Sequence, residues 1–210
     1  MTKAFIFDLD GTLADTLDSL HVSVNKTLEE LGLSPITREQ CRQFVGDGAR
    51  VLMERSISAV GGDGEGLLDE AMRIYGRIFE ANCTYHVVPY EGITKLLSLL
   101  RQNGMKLAVL SNKAHSLVPS IIEGYFPGVF DCVQGALDGA PTKPDPTLLH
   151  RLMGEMGAAP ADTLFVGDSS VDIRTAKNGG LISCGVLWGF RTRAELEAEG
   201  HEAAVVEYSV

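Results

Sequence analysis

The sequence predicts an α/β fold in which a mainly parallel sheet carries helices on both faces, with an all-α segment inserted near its start. Five short apolar runs have the length and composition of buried strands. They are AFIF at 4–7, KLAVLS at 106–111, FDCVQG at 130–135, TLFVGD at 163–168 and SCGVLW at 183–188. From Leu107 onward they alternate with segments of helical periodicity, which is the pattern of βαβ units. Residues 15–86 show helical patterns and no convincing strand, which indicates an inserted helical segment.

The sequence also predicts where several helices begin or end. Asp145 followed by Pro146 predicts an N-cap and first residue for PTLLHRLMGEMG. Gly179 and Gly180 predict the C-terminal end of the helix SVDIRTAKN. In the insert, TREQ at 37–40 has the form of a capping box, and VGGDGEG at 60–66 is expected to be a loop. These signals predict a core domain of residues 1–15 and 87–210, with the insert at 16–86.

Composition excludes several classes of function. The 210 residues carry a formal net charge of -10, which is the wrong sign for general binding to nucleic acid or anionic membranes. No run approaches the length of a membrane span, and Asp8 and Asp10 interrupt any signal-peptide core. The four cysteines are scattered without zinc-ligand spacing, so reduced cysteines and a cytoplasmic location are expected. P-loop, HExxH, GxSxG and EF-hand patterns are absent.

Polar residues instead follow the predicted strands directly. The set consists of Asp8, Asp10, Ser111, Asn112, Asp168 and Asp172, with Lys143 in the loop before a helix. In an open parallel sheet the ligand crevice lies at the carboxyl ends of the strands, so these side chains are expected to converge. Carboxylates in this number indicate a hard cation, and Mg²⁺ suits an oxygen-lined site that a substrate phosphate completes. Lys143 and the Ser111 hydroxyl could hold the remaining phosphoryl oxygens, and the chemistry predicted is phosphoryl transfer.

Four segments together resemble a known family. FDLDGTLADT, the strand end LSNK, TKPDPTLL and VGDSSVDIRTAKNGG are similar, in that order, to the signature motifs of the haloacid dehalogenase (HAD) superfamily. The resemblance is greatest to its phosphoglycolate-phosphatase-like branch, which has a helical cap after the first motif. It implies a Rossmann-like parallel sheet core and an inserted all-α cap domain, the latter being residues 16–86.

The resemblance also implies roles for single residues. Asp8 would be the nucleophile that forms an aspartyl-phosphate, and Asp10 the general acid and base. Ser111, with the backbone near Asn112, would bind the phosphoryl group, and Lys143 would stabilise its charge and orient Asp8.

The implied cofactor is Mg²⁺. Its ligands would be Asp8, the backbone carbonyl of Asp10, and Asp168, with Asp172 either a ligand or a partner of one. An acid at position 10 also disfavours dehalogenation, because the dehalogenases of the superfamily lack it.

Two further residues are candidates for contacting substrate. Arg50, in the glycine-containing segment VGDGAR at 45–50, could bind a substrate carboxylate, and Lys113 could contact the leaving group. The function expected is a Mg²⁺-dependent phosphatase of a small phosphorylated metabolite, with 2-phosphoglycolate the first candidate. A sugar-phosphate mutase similar to β-phosphoglucomutase is an alternative, and a non-catalytic receiver-type signalling module is a more distant one. Neither nucleic acid nor membrane is an expected partner, and the sequence does not predict the oligomeric state.

Overall fold

The computed structural model describes residues 2–200 and, for the backbone only, 203–206. Its strands are β1 (Ala4–Phe7), β2 (Ala14–Asp15), β3 (Val88–Pro89), β4 (Lys106–Ala114), β5 (Cys132–Ala136), β6 (Thr163–Gly167), β7 (Ile182–Val186) and β8 (Ala203–Val206). Its helices are α1 (Leu17–Glu30), α2 (Arg38–Phe44), α3 (Ala49–Ala59), α4 (Leu68–Asn82), α5 (Ile93–Gln102), α6 (Val118–Tyr125), α7 (Thr147–Met156), α8 (Ser170–Asn178) and α9 (Arg193–Glu197).

The main sheet is parallel and six-stranded within these residues, in the order β5-β4-β1-β6-β7-β8. Phe7 of the central strand β1 lies opposite Val109 of β4 and Val166 of β6. Because the strands are parallel, the residues that follow β1, β4 and β6 all emerge at one edge of the sheet.

The two faces of β1 have different cores. Ile6 packs in a cluster with α7 and α8, whose buried members include Leu149, Leu152 and Ala176. Phe7 points to the opposite face, where its ring contacts Phe130 at a centroid distance of 6.3 Å. Alternation of side chains along the strand separates the two faces, and both are covered. The predicted α/β fold with helices on both faces is confirmed.

The described chain divides into two compact units, Thr16–Val88 and the remainder on either side of it. The first unit contains α1 to α4 and is all-α, as predicted. Its core includes Leu28 of α1 and Phe79 of α4, and Arg77 of α4 pairs with Glu30 of α1 at 2.6 Å. The capping box of Thr37 and Gln40 is present.

Some element ends differ from prediction. Helix α7 begins at Thr147 rather than Pro146, because its first backbone hydrogen bond runs from the His150 N–H to the Pro146 carbonyl at 2.9 Å. The Asp145 carboxylate still caps this end by accepting the Thr147 N–H at 2.8 Å. Gly180 adopts the left-handed conformation (φ 73°) just after α8, which agrees with a glycine stop. The short strands β2 and β3 were not predicted.

All four cysteines are free, and among the described helices none is both long and apolar enough to cross a membrane.

Candidate active site

Three aspartates form an acidic cluster at the carboxyl edge of the sheet. Asp8 follows β1, Asp168 follows β6, and Asp172 lies in the first turn of α8. Each offers one carboxylate oxygen within 4.8 Å of the other two, and all three side chains are buried. The structure therefore brings these sequence-predicted residues together.

Local hydrogen bonds position Asp8 and Asp172. The Asp8 N–H donates to the Val166 carbonyl at 2.9 Å, which continues the pairing of β1 with β6 past the end of the strand. Asp172 Oδ2 accepts from the Ser169 N–H at 3.0 Å and from the Ser169 hydroxyl at 2.6 Å. This is the capping box of α8, so the same contact that starts the helix orients Asp172.

Lys143 is buried between two of these aspartates. Its Nζ lies 2.6 Å from Asp172 Oδ1 and 2.9 Å from Asp8 Oδ1. The Asn112 side chain holds the Lys143 backbone, because Asn112 Oδ1 accepts the Lys143 N–H at 2.9 Å and Asn112 Nδ2 donates to the Lys143 carbonyl at 3.0 Å. The Asn112 side chain thus positions Lys143, whatever its backbone contributes to phosphate binding.

The cluster has more negative charge than Lys143 alone can balance. Burial raises the pKa of Asp8 well above its usual range, Asp172 raises it further, and Lys143 opposes both effects. Burial and the charge of Asp172 raise the pKa of Asp168 to about 7. The pKa of Lys143 is raised, because the attraction of Asp172 and Asp8 outweighs the cost of burying its charge.

The two carboxylate oxygens of Asp8 have different surroundings. Oδ1 accepts the Leu9 N–H at 2.7 Å and lies 2.9 Å from Lys143 Nζ. Over the part of the chain that the structure describes, Oδ2 accepts no hydrogen bond. One oxygen is therefore held in place while the other is available to bind or react.

Asp10 and Ser111 lie next to Lys113. Lys113 Nζ donates to Asp10 Oδ1 at 2.7 Å. The Lys113 N–H donates to Ser111 Oγ at 3.1 Å, and Ser111 is buried. Within residues 2–200 the Ser111 hydroxyl donates to no protein acceptor, so its hydrogen is available for a ligand oxygen.

A loop that sequence reasoning missed contacts the cluster from β7. The Phe190 N–H donates to Asp168 Oδ2 at 2.7 Å, and the Thr12 hydroxyl donates to Asp168 Oδ1 at 3.2 Å. Trp188 Nε1 donates to the Thr12 carbonyl at 3.0 Å. A Cβ placed on Gly189 would overlap the Asp168 side chain. A signal was present in the sequence, since the fifth predicted strand ends at Trp188 and is followed directly by Gly189 and Phe190, where a ligand crevice is expected.

Arg50 belongs to the helical unit. It lies in α3, where its guanidinium pairs with Asp69 at 2.7 Å, and both side chains are exposed. Its proposed contact with a substrate carboxylate stays a prediction.

The donor set of the acidic cluster fits a metal ion. It consists of buried carboxylate oxygens, which are the ligands that hard divalent cations prefer. Burial and the neighbouring charge of Asp172 raise the pKa values of Asp8 and Asp168, and a bound cation would favour their ionised forms. Asp8, Asp168 and Asp172 can therefore hold a metal ion.

A parallel sheet with buried acids, a lysine and a free hydroxyl at its carboxyl edge defines an α/β enzyme equipped to act on phosphate esters. The family model described as haloacid dehalogenase-like hydrolase matches residues 5–186. The chain belongs to this family, and it is a phosphatase within it.

Named relatives are similar over most of their length. A phosphoglycolate phosphatase from Aquifex aeolicus is 31% identical over 189 residues, covering 90% of this chain and 86% of the relative. One from Rhodospirillum rubrum is 34% identical over 201 residues, covering 90% and 81%. The crystal structure of a predicted phosphoglycolate phosphatase from Haemophilus somnus superposes with a TM-score of 0.88 at 27% identity, covering 97% and 93% of the two chains. A receiver-type signalling module is not supported by these similarities.

Proposed function

We propose that this phosphatase is Mg²⁺-dependent and hydrolyses a small phosphate monoester through an aspartyl-phosphate on Asp8. The observation that carries the proposal is the asymmetry of the Asp8 carboxylate. The Leu9 N–H and Lys143 hold Oδ1, whereas Oδ2 is available to attack phosphorus. A held nucleophile beside a fixed cation is the arrangement that covalent phosphoryl transfer requires.

In the first step, an Asp8 oxygen forms a bond to phosphorus while the bond from phosphorus to the ester oxygen breaks. The Asp10 carboxyl donates its proton to the departing alkoxide, so the product leaves as a neutral alcohol. Lys143 and the free hydroxyl of Ser111 bind the oxygens of the transferring phosphoryl group and stabilise their charge.

In the second step, the Asp10 carboxylate takes a proton from a water molecule as the water oxygen attacks phosphorus. The bond between phosphorus and Asp8 breaks, inorganic phosphate leaves, and both aspartates return to their starting states. One acid therefore serves as donor and then as acceptor.

The Asp8 and Asp168 carboxylates and the Asp10 backbone carbonyl would hold Mg²⁺, and Asp172 would act as a ligand or orient one. When bound, Mg²⁺ neutralises the charge that keeps an anionic carboxylate from an anionic phosphate. Because Asp172 already contacts Lys143 and Ser169, we assign it chiefly to orienting Lys143.

The first candidate substrate is 2-phosphoglycolate, supported by the names of the relatives. Arg50 is the candidate for binding the substrate carboxylate. The free cysteines support a cytoplasmic location.

A panel of phosphorylated metabolites, assayed for phosphate release with and without Mg²⁺, tests this function. We expect 2-phosphoglycolate to have the highest kcat/KM and chelation to abolish turnover. Asp8→Asn should abolish phosphate release with the fold intact, and Asp162→Asn, at a half-buried acid paired with Lys3, should retain it. Release by Asp8→Asn would contradict the mechanism. Isomerisation of a hexose phosphate without phosphate release would favour the mutase alternative.

A further inference from the structure

Lys113 is a buried lysine that the catalytic steps above do not use. Its side chain is 2% exposed, and that of its partner Asp10 is 14% exposed. Lysine is rarely buried to this extent unless its charge is paired. The pairing with Asp10 therefore accounts for the position of the ammonium group.

The backbone around Lys113 restricts where its side chain can reach. The Lys113 N–H donates to Ser111 Oγ, and strand β4 continues to Ala114. The His115 N–H donates to the Ala136 carbonyl at the end of β5 at 2.9 Å. Hydrogen bonds thus hold the backbone on both sides of Lys113. Its ammonium group therefore reaches Asp10 from a fixed backbone position.

The two buried lysines of the site form ion pairs with different acids. Lys143 contacts Asp8 and Asp172, whereas Lys113 contacts Asp10, whose carboxylate lies outside the acidic cluster. Without an opposing cation of its own, the Asp10 side chain could rotate away from the position in which it serves the leaving group.

We infer that Lys113 is a positioning residue that holds the Asp10 carboxyl where the leaving-group oxygen departs. The inference rests on the proposed function, because it assumes that Asp10 is the general acid. Direct contact of Lys113 with the substrate is the competing interpretation. The two interpretations predict losses of kcat/KM for different substrates when the ammonium group is removed.

The test compares leaving groups in a Lys113→Met variant. An aliphatic alkoxide must be protonated as it leaves, whereas p-nitrophenolate leaves without help. General acid catalysis contributes about 10²- to 10⁴-fold, so we expect kcat/KM to fall about 10²-fold for 2-phosphoglycolate and for a carboxylate-free alkyl phosphate. For p-nitrophenyl phosphate we expect a loss below about threefold. Equal losses for all three esters, or a loss confined to 2-phosphoglycolate, would overturn the inference.

The matched control is Lys106→Met, at the opposite end of β4, where the lysine ammonium donates to the Met156 carbonyl. It should leave all three values unchanged. Thermal unfolding checks the fold, and Lys113→Gln replaces Lys113→Met if the latter does not fold.

A double-mutant comparison separates positioning from an independent effect. Single-turnover formation of the phosphoenzyme is measured for Asp10→Asn alone and with Lys113→Met added. If Lys113 acts through Asp10, the second change costs less than about twofold. Losses that multiply would overturn the inference. A wild-type protein without phosphatase activity would instead contradict the proposed function. Failure of the inference and failure of the proposed function therefore give different results.

Discussion

Lys143 is the residue on which the balance of charge in the acidic cluster depends most. Its Nζ lies within 2.9 Å of both Asp8 and Asp172, and the Asn112 side chain fixes its backbone from β4. Removing one partner of a buried ion pair leaves the other charge uncompensated, which typically costs about 3–5 kcal/mol. Lys143 therefore contributes to folding as well as to the chemistry.

Replacing Lys143 by Met should impair both properties. We expect kcat/KM to fall by about 10²-fold or more, because a fixed charge facing the phosphoryl group is lost. The free energy of unfolding of the metal-free protein should fall by about 3 kcal/mol. Steady-state kinetics and urea unfolding measure the two effects, with the exposed Lys177→Met as the control. A folded Lys143→Met variant with wild-type kcat/KM would contradict the role.

Single residues were predictable only in part. Asp8, Asp168, Asp172 and Lys143 could be grouped from the sequence because each lies just after a strand, before a helix or in the first turn of one. The pairing of Lys113 with Asp10 could not, because the predicted strand stopped at Ser111 whereas β4 continues to Ala114. The use of the Asn112 side chain depends on a loop 31 residues away, which no local pattern encodes.

At the scale of elements, the loop 187–190 after β7 supports the site without supplying a reactive group. Its backbone donates to Asp168 through Phe190, and its indole donates to the Thr12 carbonyl in the loop after β1. Glycine is required at position 189, where any Cβ would overlap both the Asp168 side chain and the Gly11 carbonyl. The close approach of two backbones explains why no larger residue fits.

Gly189→Ala should therefore displace Asp168. We expect the affinity for Mg²⁺ to fall by about 10-fold or more, as is typical when a partner of a metal ligand is disturbed. Isothermal titration calorimetry measures it without turnover. The control is Gly154→Ala in α7, where a Cβ meets open space and alanine should stabilise the helix by about 0.5–1 kcal/mol. Unchanged Mg²⁺ affinity in Gly189→Ala would contradict the supporting role of the loop.

Regular elements were easier to predict than the loops between them. The strands from β4 to β7 each lie within two residues of prediction at their start, because apolar runs report burial directly. The loop 187–190 was missed because its contacts are made by backbone groups and one indole. Strands β2 and β3, of two residues each, are too short to show alternation.

For the whole molecule, the buried acids couple stability to pH. The pKa of Asp168 is about 7 in the folded protein, compared with about 3.9 in an unfolded chain. The folded state thus binds this proton more tightly. The stability it contributes is complete below about pH 4 and is lost as the pH rises through about 7.

We therefore expect the metal-free protein to lose stability between about pH 4 and pH 7. Asp168→Asn should flatten this slope, because the variant has no proton to lose at that position. Urea unfolding at a series of pH values, with chelator present, measures the difference between the two proteins. Stability that rises equally in both over this window would contradict the assignment. Added Mg²⁺ should raise the wild-type Tm at pH 7, since ligands that bind only the folded state stabilise it.

The overall architecture was predictable because it follows from the order of strands and helices along the chain. Apolar runs that alternate with helices require a parallel sheet, and the long helical stretch after β1 indicated the all-α insert. Side chains that determine substrate choice could not be predicted, because helical periodicity identifies a buried face but not which exposed residue meets a ligand.

Covalent transfer of the phosphoryl group to Asp8 can be tested by trapping the phosphoenzyme. The Asp10→Asn variant, which cannot activate water, is mixed with ³²P-labelled p-nitrophenyl phosphate and Mg²⁺, quenched in acid and digested. We expect about one p-nitrophenolate released per protein in a burst. The label should lie on the peptide that contains Asp8 and be absent from an Asp8→Asn/Asp10→Asn control. Continued turnover without labelled protein, or label on another residue, would contradict it.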